Sequence, residues 1–205
     1  MPSGQLLIYA SSASVYGHAM EGELCSEDQA LSDIHNSYDH SKRLMESLAM
    51  TSSVRSIGLR FATVCGYSPM LRTDVILNAM VLSALNEGCV RVFQAEARRS
   101  ILGMGDCCAA IRRILSSDDP PEGIYNLASF SSRIGVIGQR VADLLEVPLV
   151  APEPLEMPGS AYSFELSIEK FKYHFAFEPS QTLESIVTEL VRNYKRVKHV
   201  TTRRE

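Results

Sequence analysis

Residues 6–42 constrain this chain more than any other stretch. An apolar run, Leu6-Leu7-Ile8-Tyr9-Ala10, breaks into Ser11-Ser12-Ala13-Ser14-Val15-Tyr16-Gly17. A short apolar run ending in small hydroxyl residues and glycine reads as a buried strand whose C-terminal end opens into a loop. Ligands of open α/β sheets bind at such ends. In the helical pattern that follows, Tyr38 and Lys42 stand four apart, so both side chains leave one helix face. Ser12, Tyr38 and Lys42 converge once that helix packs on that strand.

Those three residue types make a proton relay. A free phenol, with a pKa near ~10, is a poor base at neutral pH, and a neighbouring ammonium favours its ionised form. Lys42 would be that ammonium. A serine hydroxyl shares the substrate's hydroxyl hydrogen bond, which leaves Tyr38 placed to take or return a proton as hydride leaves the same carbon. The spacing alone is not diagnostic, because Tyr194 and Lys198 repeat it in the basic C-terminal stretch. The serine-bearing strand upstream is what separates the two.

With that strand, the chain resembles the extended short-chain dehydrogenases/reductases, specifically the NAD-dependent nucleotide-sugar epimerases and dehydratases. There the strand reads S-S-x-x-V-Y-G and the helix Y-x-x-S-K, as Tyr38-Asp39-His40-Ser41-Lys42 does here. The resemblance implies Ser12, Tyr38 and Lys42 as catalytic residues and NAD as the hydride carrier. It implies Ser11, Thr63 and Val64 beside that carrier with Tyr38 and Lys42. It covers nearly all of this chain but only about the last two-thirds of the family's domain. No G-x-x-G-x-x-G or G-x-G-x-x-G occurs, so the turn that lets a backbone approach a pyrophosphate is not in this sequence.

Downstream, residues 55–61 read as the next strand, and Leu59-Arg60-Phe61-Ala62-Thr63-Val64-Cys65-Gly66 follows the family form L-R-x-x-T-V-x-G. Thr73 is expected to cap a helix ended by Gly88. Within it, Asn78 matches an asparagine that reaches the sugar nucleotide in relatives; an amide bonded to backbone is the competing reading. A short strand is expected over residues 90–94. Relatives then carry R-x-x-I-H-V-x-D, and Arg99 and Asp106 fit that register, with Gly103 in place of the histidine. The resemblance gives Arg99 a diphosphate, whose oxygens suit a guanidinium fork, and makes Asp106 the cap of a helix starting near Cys107. A strand at 124–128 and helices at 134–145, 167–175 and 182–194 complete the pattern. Gly159-Ser160-Ala161 stands where relatives place a second phosphate-binding arginine before the tyrosine matching Tyr162.

Composition narrows the classes. At 205 residues and 45% apolar content the chain can bury a real core. A net charge of −4 gives no reason to expect nucleic acid. No apolar run reaches the ~18–20 residues of a membrane span, and the N-terminus lacks a basic signal-peptide region. The five cysteines form no C-x-x-C pair, which suits reduced thiols and a cytoplasmic chain, with no metal cluster. Cys107 and Cys108 are expected only to pack.

The expected fold is α/β: the later strands of a Rossmann-like parallel sheet plus a small C-terminal substrate-binding lobe. Residues 1–194 form that unit, and residues 195–205 a basic tail that frays. Strand 6–10 becomes a sheet edge, open to pairing with another chain. Helix 36–51 carries one apolar line through Met45 and Ala49 and a second through Leu44 and Leu48, which either packs in the chain's own core or builds a homodimer. Two functions fit. One is a nucleotide-sugar epimerase working by transient oxidation at C4; dehydratases place Asp-Glu after the serine, where this chain has Ala13-Ser14. The other is a non-catalytic shortened relative, a binding or regulatory subunit or a gene remnant, unable to bind NAD alone.

Overall fold

The computed structural model describes residues 5–17, 24–31, 33, 36–150 and 163–201, with 195–201 as backbone alone. Strand β1 (Leu6–Ser12) runs into a 3-10 turn over Ala13–Tyr16. In chain order follow β2 (Leu24–Cys25), α1 (Ser37–Thr51), β3 (Arg55–Phe61), β4 (Thr63–Cys65) and α2 (Ile76–Glu87). Next come β5 (Val90–Arg91), β6 (Arg98–Gly103), α3 (Met104–Leu115), β7 (Gly123–Leu127), β8 (Phe130–Arg133) and α4 (Ile134–Leu145). The last elements are β9 (Leu149–Val150), β10 (Glu165–Leu166), α5 (Glu169–Phe175) and α6 (Leu183–Thr201).

The main sheet is parallel, in the order β1-β3-β7, with Ile8 opposite Ile57 and Leu59 opposite Tyr125. Parallel neighbours need a crossover, and α1 supplies the one between β1 and β3. Together they form the strand-helix-strand unit of a Rossmann-like α/β fold. Among the described residues β1 has a strand on one side only, the edge position expected of it. A second sheet, β4-β6-β8, is mixed, its β6-β8 pair antiparallel.

Two cores hold these sheets. One packs Ile57, Leu59, Tyr125 and Leu127 against Ala110 and Ile114 of α3 and Phe171 and Phe175 of α5. Its aromatic rings meet edge to face, Tyr125 and Phe175 with centroids 5.2 Å apart. The other lies among α2, α4 and α6, through Leu77, Val81, Ile137, Val141, Ile186 and Leu190. Burying each such side chain contributes roughly 1.5–3 kcal/mol, so each cluster is a substantial apolar core.

Several elements depart from expectation. Helix α2 is capped by Val75, not Thr73, with no side-chain cap bond, and it closes on Gly88 at φ 70°, a left-handed conformation that glycine adopts without strain. The chain ahead of it is held elsewhere, because the Arg72 guanidinium grips Asp74 and the Arg72 carbonyl accepts from Asn78. The strand expected over 90–94 stops at Arg91; a turn follows in which Gln94 sits at φ 53° and its carbonyl accepts from Ala97 N–H. Helix α3 starts at Met104, so Asp106 lies in its first turn and is not its cap. Its carboxylate accepts from Ser129, Ser180 and the Gln181 N–H, while Gln181 Oε1 accepts from Asp106 N–H at 3.1 Å. A distant glutamine thus performs the reciprocal capping that a local pair usually performs. Gly103 admits it, since a Cβ there would lie 2.2 Å from Gln181 Oε1.

Helix α6 continues through 195–201, where fraying was expected; residues 202–205 lie outside the described residues, as does the segment 151–162 with Tyr162. Between Gly17 and Asn36, where the sequence shows no strand pattern, the chain forms β2, paired in parallel with β10. Cys107 is buried and Cys108 exposed, both as free thiols.

Candidate active site

A cavity of about 650 Å³ opens where β1 and β3 end. Its walls are the Ala10–Ser14 stretch, the first turns of α1, the Phe61–Val64 stretch, the segment leading into α2, and Arg99 with Phe164. This is the position at which α/β sheets bind ligands. It brings Ser11, Ser12, Tyr38, Lys42, Thr63, Val64 and Arg99 together around one space.

Helix α1 is placed by its cap. Asn36 Oδ1 accepts from Asp39 N–H at 2.8 Å, satisfying one of the free donors of the first turn. That start sets Tyr38 in the first turn, 55% exposed, and Lys42 one turn later. Lys42 Nζ lies 5.4 Å from the Tyr38 ring centroid and donates to the Ala10 carbonyl at 2.9 Å. The end of β1 therefore anchors the ammonium next to the phenol. The two sequence-predicted partners meet as their spacing requires.

Ser12 lines the same cavity from the end of β1. Its Oγ lies 2.8 Å from Ser14 Oγ and accepts from Ser14 N–H at 3.3 Å. Ser14 Oγ in turn donates to Asp39 Oδ1, and Asp39 is fully buried. Sequence reasoning missed both Ser14 and Asp39. A polar residue beside Tyr38 on the helix was the only local signal, and the contact joins positions on different elements.

Ser11 belongs to a different system. Although it borders the cavity, its hydroxyl donates to Glu46 Oε1 at 2.5 Å. Glu46 also accepts both forks of Arg60, at 2.9 and 2.8 Å, with the two side chains 5% and 4% exposed. Arg60 Nη1 donates to the Tyr16 hydroxyl, which donates to Asn126 Oδ1, each at 2.8 Å. Burial by itself would depress the Arg60 guanidinium; the bonds and charges of Glu46 and Tyr16 outweigh it and raise its pKa. Burial pushes the Tyr16 phenol up to about 12. This network ties β1, α1, β3 and β7 together beneath the cavity. It takes the Ser11 proton, which leaves that hydroxyl only lone pairs to offer the cavity.

Asn78 does not border the cavity. Its Oδ1 accepts from Gly66 N–H at 2.9 Å and its Nδ2 donates to the Arg72 carbonyl at 2.9 Å, the backbone-bonded arrangement. It thereby fixes the loop carrying Arg72, which lines the cavity and pairs with Asp74 there. Arg72 is a third cation of the cavity, beside Lys42 and Arg99, that sequence reasoning missed.

Arg99 reaches the cavity from β6, its guanidinium 5.7 Å from the Phe164 ring centroid. Among the described residues no carboxylate pairs with it, and its Nη1 donates only a long bond, 3.3 Å, to the Arg98 carbonyl. Burial pulls its pKa below the ordinary guanidinium value. A cation so placed gains most from an anion entering the cavity. On α1, meanwhile, Leu44 and Leu48 are 60% and 58% exposed, so the second apolar line of that helix does not pack in the chain's own core.

In shape the chain resembles dTDP-glucose 4,6-dehydratase from Bacillus anthracis, solved with NAD. The identity is 22% and the TM-score 0.77, over 95% of this chain and 64% of that one. UDP-glucuronic acid 4-epimerase from Bacillus cereus, solved with UDP-glucuronic acid and NAD, gives 19% identity and a TM-score of 0.78, over 95% of this chain and 62% of that one. RMD from Pseudomonas aeruginosa, solved with NADPH, gives 20% identity and a TM-score of 0.76, over 93% and 66%. At these identities the likeness is one of fold, and this chain spans 64% of the length of the first. No described helix is long and apolar enough to cross a membrane. A family model matches residues 3–128, the stretch that carries β1, α1, β3 and the residues Ser12, Tyr38 and Lys42, and by that match the chain belongs to the NAD-dependent epimerase/dehydratase family.

Proposed function

We propose that this chain is the catalytic and sugar-binding portion of a cytoplasmic nucleotide-sugar epimerase. The observation that carries the reading is the exposed Tyr38 phenol with the Lys42 ammonium anchored beside it, in one cavity with Ser12 and with Arg99, which has no carboxylate partner among the described residues. Tyr38 takes the proton of the sugar 4-hydroxyl and later returns it. Lys42 places positive charge next to the phenol and is the residue to hold the nicotinamide ribose. Ser12 orients the sugar hydroxyl, and Arg99 receives the diphosphate. Ala13 and Ser14 follow the serine, and neither carries a carboxyl to remove water, which favours epimerase over dehydratase chemistry.

The residues present fit the nicotinamide end of NAD: Tyr38 and Lys42 on one wall, Thr63 and Val64 among the others. NAD, when bound, takes the hydride from the sugar carbon and gives it back. The alternative reading is a binding subunit without turnover. The exposed Leu44 and Leu48 line of α1, or the free edge of β1, would join two copies in a homodimer.

Calorimetric titration of the purified chain with NAD and with UDP-glucose tests these readings, with sedimentation of the same sample for its oligomeric state. Binding of both ligands, with C4 epimerisation that Tyr38→Phe abolishes, is the expected result. UDP-glucose binding without NAD binding selects the binding subunit. A folded sample silent to both ligands overturns the nucleotide-sugar site, and a monomer overturns the dimer.

A further inference from the structure

The hydrogen bonds behind Ser12 fix its polarity. Asn36 is oriented because its Oδ1 accepts from the Asp39 N–H, so its amide NH₂ faces Asp39 Oδ2 at 2.5 Å and donates to it. The other carboxylate oxygen, Oδ1, faces the Ser14 hydroxyl. Asp39 stands in the first turn of α1, where the helix end favours a carboxylate. An ionised carboxylate only accepts, and a serine hydroxyl has one proton. Ser14 therefore spends its proton on Asp39. In the 2.8 Å contact between the two serines, Ser12 must then be the donor. Ser12 also accepts from Ser14 N–H, which leaves it one lone pair and no proton for the cavity.

The geometry points to Ser14 and Asp39 as positioning residues that hold Ser12 as a hydrogen-bond acceptor toward the ligand. The group that meets Ser12 must be a donor, a hydroxyl rather than a carbonyl or a fluorine. This rests on the nucleotide-sugar reading above and sharpens it, because it selects ligands in the alcohol state at the position that Ser12 touches. Neither residue touches the ligand by this argument. They act through Ser12.

Two measurements decide it. Neutron diffraction from the perdeuterated chain is expected to show deuterium on Ser12 Oγ directed at Ser14, and on Ser14 Oγ directed at Asp39. Deuterium on Ser14 directed at Ser12 overturns the polarity. Calorimetry then compares UDP-glucose with its 4-deoxy-4-fluoro analogue. The wild-type chain should prefer the hydroxyl by up to about tenfold, the range of one net hydrogen bond. Ser14→Ala frees the Ser12 proton, so that preference should fall toward unity, and Ser14→Thr should restore it. An equal loss of affinity for both ligands in Ser14→Ala would mean a merely structural role and overturn the proposal. If the folded wild-type chain binds neither sugar nucleotide, the substrate reading fails, while the deuterium positions still decide the polarity of Ser12.

Discussion

Arg60 on β3 and Arg99 on β6, strands of different sheets, receive opposite treatment. Arg60 is sealed under the cavity, with Glu46 on two of its nitrogens and Tyr16 on a third, and its pKa is raised. Arg99 is half-buried in the cavity wall with an aromatic ring beside it and no carboxylate partner among the described residues, and its pKa is lowered by burial. The first charge is neutralised within the fold, where it locks β1, α1 and β3 in one register. The second is desolvated with no carboxylate partner among the described residues, a cost that an anion entering the cavity would offset. A paired buried cation serves the architecture. A cation without such a partner in a cleft is a candidate for binding an anion.

The strongest way to break this contrast is to remove Glu46. Glu46→Ala leaves the Arg60 charge buried and uncompensated, and breaking such a pair costs about 3–5 kcal/mol. Urea unfolding should show a loss of that order; a loss below about 1 kcal/mol would mean that water reaches Arg60 and that the network is not structural. Arg99→Ala should do the reverse, changing stability by no more than about 0.5 kcal/mol. It should weaken UDP-glucose binding by roughly 10- to 100-fold, the range for hydrogen bonds to a charged group. Unchanged affinity would return Arg99 to the status of a surface charge.

The smallest effect sharpens the buried side of the comparison. Tyr16 keeps its proton up to about 12 in the folded chain against an ordinary value of 10.0, chiefly through burial. Its contribution to stability is therefore complete below pH 10.0 and is lost as pH rises toward about 12, because the unfolded chain releases the proton first. Tyr9 and Tyr125 act in the same window and direction. Tyr16→Phe should flatten part of the alkaline decline in the unfolding midpoint. An unchanged slope would show that Tyr16 titrates freely.

Much of this arrangement was legible before any coordinates. The strand from Leu6, the helix from Ser37 and the strand Arg55–Phe61 stand where apolar pattern and capping residues put them, because their signals are local. The pairing of Tyr38 with Lys42 follows from helix geometry alone. What escaped was set by distance. Thr73 looks like a cap in sequence, but the Arg72–Asp74 pair and the Asn78 amide hold that segment, and Val75 takes the cap position. Asp106 looks like a cap too, and its carboxylate reaches instead to Ser180 and Gln181, far along the chain. The glycine at position 103, a departure from the family pattern, makes room for Gln181. Ser11 spends its proton on Glu46, and Asn78 makes the backbone bonds of its competing reading.

The sequence alone determined which chemical groups are available and which short-range geometries they adopt: an apolar strand ending in serines, a capped helix, a phenol and an ammonium on one face. Residue type and local periodicity suffice for that, since they depend on neighbours within a turn or two. Only the tertiary structure decided how each polar group's limited hydrogen-bonding capacity is spent. A hydroxyl has one proton and a carboxylate accepts from a few donors, so packing that brings Glu46 to Arg60 and Asp39 to Ser14 settles which groups serve the fold. The same packing leaves Tyr38, Lys42 and Arg99 facing the cavity.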